Sequence, residues 1–259
     1  MSQSRTGKHK ITRAIEMNHN PDEQQDAKSQ SVERPQVVWH QPLVDRATRE
    51  ERHGHRGAVI WLTGLSGCGK STIADLVDRA LAAQGVESYI LDGDNIRHGL
   101  NAGPDRLQEY GDAFAGRFGL GFSEDDRKEN IRRVAAVASL LVDAGIVAIV
   151  AFVSPYHADR QTARAYVESC GRSGDFFEVF VDAPLEVCEA RDPKGLYQQA
   201  RDGKIRGFTG IDAPYEPPTD PQLHLKSAEH SPESLAQCVL QMLVNHGVVA
   251  GGPSDQTGS

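Results

Sequence analysis

The feature that most constrains this chain is the run Gly64, Leu65, Ser66, Gly67, Cys68, Gly69, Lys70, Ser71 and Thr72, a full match to the pattern GxxxxGK followed by Ser or Thr. An apolar, β-branched segment, AVIWLT at 58–63, leads into it, and a stretch of helical periodicity follows. Glycines at these positions let the backbone curl so that successive N–H groups point at phosphate oxygens, while the N-terminus of the next helix adds its positive dipole end. Lys70 then reaches the β- and γ-phosphates, and the Ser71 hydroxyl faces a Mg²⁺ ion. The motif alone does not separate a GTPase, an ATPase and a small-molecule kinase.

Beyond residue 58, short β-branched runs alternate with longer helical patterns. Strands are expected at 58–63, 87–92, 146–152, 177–182 and 222–226, and helices at 70–84, 124–143, 158–169, 184–190 and 232–246. This alternation predicts an α/β fold of the P-loop NTP-binding type, a parallel sheet flanked by helices on both faces. In the clearest helix, 124–143, Ser123 and Asp126 form a capping box, Ile131, Val134, Ala138 and Leu141 supply an apolar face, and Gly145 ends it. No linker divides the chain after residue 36, so one P-loop domain is expected over 36–248. A polar, disordered tail is expected over 1–35 and a flexible end over 249–259.

Composition excludes several classes. With 39% hydrophobic and 25% charged residues the 259-residue chain reads as globular, and its net charge of -8 argues against a nucleic-acid surface, which needs many clustered Lys and Arg. No run approaches the roughly 18–20 apolar residues of a membrane span, and the N-terminus lacks the apolar core of a signal peptide, so a cytoplasmic location is expected. Cys68, Cys170, Cys188 and Cys238 are widely spaced, as reduced thiols would be. His53 and His55 lack nearby metal-ligand partners at suitable spacing.

The strand at 146–152 ends in AFVSPY without an acid, whereas 87–92 ends in Asp92, Gly93, Asp94 and Asn95. This places two carboxylates at the C-terminal edge of the sheet, where open α/β folds bind ligands. Asp94 is the candidate for a carboxylate near Mg²⁺ and the attacking hydroxyl, making Ser71 and Asp94 the expected metal-facing pair. Capping of the short helix that follows is the competing role for Asp94.

Several segments together resemble one family, the adenylylsulfate kinases (APS kinases). They are WLTGLSGCGKSTIA at 61–74, LDGDNIRHGLN at 91–101, LGFSEDDRKENIRR at 120–133, AFVSPY at 151–156, and the long EVFVDAPLEVCEARDPKGLYQQARDGKIRGFTGIDAPYEPP at 178–218. VVWH at 37–40 and HRGAVIW at 55–61 are similar to the family's lead-in, so the resemblance spans about 37–247. It implies transfer of the γ-phosphoryl of ATP to the 3′-hydroxyl of adenosine 5′-phosphosulfate (APS), forming PAPS, with ATP and APS as ligands and a homodimeric assembly.

An acceptor site follows from that substrate. Arg97, Arg127 and Arg132 offer planar donors for phosphate and sulfate oxygens, Asn130 adds a neutral amide, and Phe122 and Phe208 are suited to flank adenine. The resemblance carries the substrate role onto Arg97, Arg127, Asn130, Phe122 and Phe208. The segment from Arg191 to Tyr197 reads as the start of a lid, in which the resemblance puts Arg191 beside the ATP adenine and Lys194 near the acceptor. Ser154 corresponds to a serine to which the family assigns a phosphorylated intermediate. It also reads as an ordinary N-cap before Pro155, and direct in-line transfer needs no covalent step. Lys70, Asp94 and Ser154 are thus the catalytic candidates.

Another small P-loop kinase, acting on a nucleoside monophosphate or a sugar acid, and a catalytically silent nucleotide-binding module are the alternatives. Residues 102–119 depart from the family pattern by intervening between GLN and LGFS. Leu107, Tyr110 and Phe114 recur there at helical spacing among four glycines, so a short, mobile helical excursion beside the acceptor mouth is expected, with no catalytic role.

Overall fold

The structure, a computed structural model, describes Val38 and residues 40–251. The expected tail at 1–35 and residues 252–259 lie outside the described residues. Five strands, β1 Ala58–Thr63, β2 Ser88–Asp92, β3 Val147–Ala151, β4 Phe176–Asp182 and β5 Leu223–Lys226, form a sheet of order β2-β3-β1-β4-β5. Every neighbouring pair is parallel. Among the described residues the α-helices are α1 Arg46–His53, α2 Lys70–Ala83, α3 Gly93–Ile96, α4 Asp112–Phe118, α5 Glu124–Asp143, α6 His157–Cys170, α7 Leu185–Arg191, α8 Leu196–Arg201 and α9 Pro232–Asn245. A 3-10 helix, Pro104–Tyr110, precedes α4.

The continuous apolar runs of β1 and β3 are explained by burial on both faces. Alternate residues of β1 serve two cores. Ile60 and Leu62 pack with Ile73, Val77 and Leu81 of α2 and Val239 and Leu243 of α9. Val59 and Trp61 pack with Val134 and Ala138 of α5 and Ala163 and Val167 of α6. The P-loop NTP-binding fold expected from the sequence is therefore present, and the expected strands agree with the observed ones to within a residue. Val249, expected in the flexible end, is instead 5% exposed and belongs to the first core.

Sequence periodicity missed α1, whose apolar content is too low for a helical stripe. Local signals specify it instead: the Asp45 side chain accepts from Thr48 N, and Gly54 closes the helix at φ 73°. Its anchor is ionic. Arg46 donates to both carboxylate oxygens of the fully buried Asp175, at 2.5 and 3.0 Å, and to Glu50 at 2.7 Å, while Arg56 reaches Asp175 at 3.1 Å. Burial alone would raise the Asp175 carboxyl, but the hydrogen bond from Arg46 and further donors outweigh it and hold the group below its ordinary value.

Residues 102–119 are helical as expected, made of the 3-10 helix and α4, but none of them lines the cleft beside which they are expected. Leu120 N donates to Ala102 O at 3.0 Å and closes the neck of this excursion, and Arg133 clasps Leu100 O and Phe118 O at 3.0 and 3.3 Å. Ala115 is fully buried, whereas Tyr110, Phe114 and Phe118 form an exposed ladder with ring centroids 5.2 and 4.6 Å apart.

Asp175→Asn tests the anchor of α1. Removing one partner from a buried ionic cluster should cost about 3 kcal/mol at neutral pH. Because the folded-state carboxyl is lowered, its contribution is complete above the unfolded value of about 3.9 and is lost as pH falls through the folded one. Urea denaturation should show a wild-type advantage at pH 7 that narrows in acid.

Candidate active site

The loop between β1 and α2 is shaped by contacts that only glycine tolerates. A Cβ on Gly64 would lie 2.3 Å from Val181 O of β4, and Gly69, the residue before α2, sits at φ 108°. Lys70 is buried, and its Nζ donates to Gly64 O at 2.9 Å and Leu65 O at 2.7 Å, folding over its own loop. Other elements brace the same loop from outside. Arg191 Nη1 lies 3.4 Å from both Gly67 O and Cys68 O, Ser227 Oγ donates to Cys68 O at 2.6 Å, and Tyr197 OH donates to Ser66 O at 2.9 Å. Arg191 Nη2 also holds Ser227 O at 2.8 Å, tying the lid segment to the end of β5. Cys188 is no thiolate at neutral pH, since burial pushes its thiol up to about 11.

The two acids after β2 divide their work differently from the expectation. The cap of α3 is Asp92, whose Oδ1 accepts from Asp94 N at 2.9 Å and Asn95 N at 3.4 Å. Its Oδ2 accepts from the Ser71 hydroxyl at 2.7 Å, so Asp92 joins the site that sequence reasoning gave to Ser71 and Asp94 alone. Capping, the competing role for Asp94, thus falls to its neighbour. The Asp94 carboxylate projects into the cleft and is paired with Lys194 of the lid segment, both side chains being more than half exposed.

Opposite the phosphate loop, Arg127 links α5 to the loop before β5, donating to Phe122 O at 3.0 Å, to Thr209 Oγ1 at 2.5 Å and to Gly207 O. That loop is held by Asp212, which accepts from Gly207 N and Phe208 N at 2.7 and 2.6 Å. Arg97 donates to Gly121 O at 3.2 Å and lies over the Phe122 ring at 4.2 Å. Burial draws the Arg97 pKa down, yet a guanidinium stays charged at any working pH. Phe208 meets Tyr197 edge-on at 5.0 Å.

Ser154 is 3% exposed and adopts φ 39°, a strained conformation for a residue with a Cβ. Its hydroxyl accepts from Trp61 Nε1 at 3.1 Å and donates to Thr63 Oγ1 at 3.0 Å. Thr63 in turn donates to Val153 O at 2.8 Å and receives Tyr215 OH at 3.0 Å. Ser154 Oγ also lies 3.4 Å from Phe152 O, so each acceptor within reach of its proton is a neutral oxygen of the wall and none is a base. Arg160, fully buried, completes the network by donating to Ser154 O and Glu216 O at 2.8 Å each and to Glu178 at 2.6 Å.

One cavity of about 1030 Å³ joins these parts. Gly64 and Leu65 form the stem of the loop behind it. Ser66, Gly67, Cys68, Gly69, Lys70, Ser71, Thr72 and Arg191 line one end, and Arg97, Phe122, Arg127, Asn130, Lys194 and Phe208 the other, and Asp94 and Ser154 face the same cavity. Arg132 is not among these walls. Five residues beyond Arg127, it points about 140° around α5, and it is paired with Glu129 at 2.6 Å on the solvent side. Sequence reasoning missed Asp92, Lys204, Arg206, Thr209, Ser227 and His230, all of which face the cavity.

Residues 56–226 match the family model described as adenylylsulphate kinase. An adenylyl-sulfate kinase of Rhodopirellula baltica is 53% identical over 220 residues, covering 84% of this chain and 88% of that protein. Among solved structures, an APS kinase of Mycobacterium tuberculosis in complex with AMPPNP and APS is 48% identical with a TM-score of 0.64, covering 73% of this chain and 98% of that one. A hexameric APS kinase from Thiobacillus denitrificans is 27% identical with a TM-score of 0.53, covering 78% of this chain and 30% of that one.

Tyr197→Phe deletes one brace of the phosphate loop and keeps the ring. Stability should fall by about 1 kcal/mol, the worth of one hydrogen bond, and nucleoside-triphosphate affinity should fall several-fold. Thermal melts with and without a non-hydrolysable ATP analogue measure both.

Proposed function

Since the chain belongs to the adenylylsulphate kinase family, we propose that it transfers the γ-phosphoryl group of ATP to the 3′-hydroxyl of APS, forming PAPS. The observation that carries this reading is the charge of the cleft. Lys70, Arg97, Arg127, Arg191, Lys194, Lys204 and Arg206 line it against only Asp92 and Asp94, in a chain whose net charge is -8. Walls of one sign in a low-dielectric recess concentrate anionic ligands, and both ATP and a phosphosulfate are polyanions. The volume of about 1030 Å³ lies at the upper end of the range of about 300–1,000 Å³ for single-ligand pockets, in keeping with two nucleotides meeting head to head.

The donor end takes the triphosphate on the loop amides and Lys70. Lys70 exchanges the carbonyls of Gly64 and Leu65 for phosphate oxygens and stabilises charge as it grows in the transition state. At the acceptor end, Arg97, Arg127 and Asn130 hold the phosphosulfate, and Phe122 and Phe208 flank the adenine. Asp94 accepts the 3′-hydroxyl proton. Its exposed pair with Lys194 is worth little, so Asp94 trades that partner for substrate at small cost.

The hard oxygen donors of Ser71, Asp92 and Asp94 fit Mg²⁺, which binds through few protein ligands plus phosphates. Ser71 and one of the two carboxylates would hold it, and when bound it neutralises phosphate charge and orients the transferring group. A cytoplasmic location and a homodimer complete the proposal. Among the described residues no helix is long and apolar enough to cross a membrane. Sedimentation of the purified protein distinguishes a dimer from the hexameric state of the Thiobacillus relative.

That the Ser154 proton faces only neutral oxygens of the wall favours direct transfer between the two nucleotides over a phosphoserine step. Ser154 then holds the cleft wall in shape. Ser154→Ala should keep turnover within about tenfold while costing about 1–3 kcal/mol through the orphaned Trp61 N–H; loss of all turnover in a folded variant would reinstate the covalent role. A coupled assay with ATP and Mg²⁺ should show phosphorylation of APS and none of AMP or gluconate. In the same assay, Asp94→Asn should depress kcat about a hundredfold or more, with KM for APS little changed.

A further inference from the structure

Asn101 is the last residue before the excursion at 102–119, and it is completely buried. Its Nδ2 donates to Asn130 Oδ1 at 2.5 Å and lies 3.5 Å from the main-chain oxygen of Asn130. A main-chain oxygen can only accept, so the atom of Asn101 that faces it must be the N–H₂ group. The Asn130 side chain is then obliged to turn its own oxygen inward, which leaves its Nδ2, with two N–H donors, for the cleft. Asn130 is 6% exposed and lines the cleft beside Arg97 and Arg127.

Asn101 Oδ1 is buried and has no hydrogen-bond partner. Packing alone would be better served by an apolar side chain at this position, since an orphaned acceptor is costly. The amide is useful for the direction it imposes on its neighbour. It is also held firmly, because Asn101 N donates to Ile96 O at 3.0 Å and the neck beside it is closed by Leu120 N and Arg133.

We propose that Asn101 is a positioning residue that fixes the amide of Asn130 with its donors toward the acceptor anion, so that this end of the cleft presents N–H groups alone. The proposal rests on the reading of Arg97, Arg127 and Asn130 as the phosphosulfate end. It also gives the excursion a task, since its closed neck keeps Asn101 in place from outside the catalytic walls.

The test compares steady-state KM values for APS and ATP in Asn101→Asp, Asn101→Leu, Asn130→Ala and the Asn101→Leu/Asn130→Ala double variant, with thermal melts of each. A carboxylate at 101 only accepts, so it forces Asn130 to turn its oxygen to the anion. KM for APS should rise at least tenfold in Asn101→Asp, about threefold in Asn101→Leu, and KM for ATP should stay within twofold. If the buried charge stops Asn101→Asp from folding, the uncharged Asn101→Leu carries the comparison. In the Asn130→Ala background the Asn101→Leu change should have no further effect on KM for APS, because a residue acting through another loses its influence with it. Equal rises in both KM values, or additive effects in the double variant, would overturn the proposal. No rise in KM for APS in Asn130→Ala would instead overturn the acceptor-site reading beneath it, whereas a rise there with unaltered Asn101 variants would sink the positioning role alone.

Discussion

Strand β1 is buried along its whole length and pairs in parallel with β3 on one side and β4 on the other. Parallel pairing sends the C-terminal ends of all these strands to the same edge, and each end carries one part of the cleft. β1 opens into the phosphate loop, β2 into Asp92 and Asp94, and β3 into Phe152 and Ser154. The fit is tight at the branch itself, where Gly64 approaches Val181 of β4 so closely that no side chain fits. A shift of register between β1 and β4 would therefore deform the phosphate cradle directly.

Two hydrogen-bonded systems then tie the donor and acceptor ends to that edge. Thr63, the last residue of β1, gathers Ser154 and Tyr215 onto its hydroxyl, so the stem of the phosphate loop and the loop that follows Phe208 share one oxygen. Arg127 performs the equivalent task on the far wall by holding α5 against Gly207 and Thr209. Phosphoryl transfer depends on placing two reactants to within a fraction of an ångström, and shared hydrogen bonds of this kind convert a rigid sheet into that placement. Within the segment from Arg191 to Tyr197 both ends are tied to the phosphate loop, whereas Lys194 between them is held only by its exposed pair with Asp94.

Much of this was legible in the sequence because it is written in local rules. The phosphate loop is a contiguous motif, the strands are short apolar runs, and the capping box of Ser123 and Asp126 is present as expected. What was not legible depends on contacts between distant residues. Arg132 looked like one more guanidinium in a charged segment until the pitch of α5 turned it to solvent. Asp92 and Asp94 are chemically equivalent in the sequence, and only the position of Ser71 across the cleft distinguishes them. Helix α1 lacks an apolar face and is held by Asp175, more than a hundred residues away, so periodicity had nothing to detect. Tyr197 reads only as part of a lid segment, and nothing local in the sequence shows that its hydroxyl braces Ser66, 131 residues away. Lys204 and Arg206 are exposed residues at the rim of the cavity, and only the fold of the chain brings them there.

The central claim is that phosphate passes straight from one nucleotide to the other in a single cleft, with the Ser154 hydroxyl committed to the wall. The stereochemical course at the transferred phosphorus tests this most directly, using ATP made chiral at the γ-position with oxygen isotopes and sulfur. A single in-line displacement inverts that centre, so inverted configuration in the 3′-phosphate of the product is the predicted result. Retention would require two successive displacements through an enzyme-bound phosphate and would contradict direct transfer.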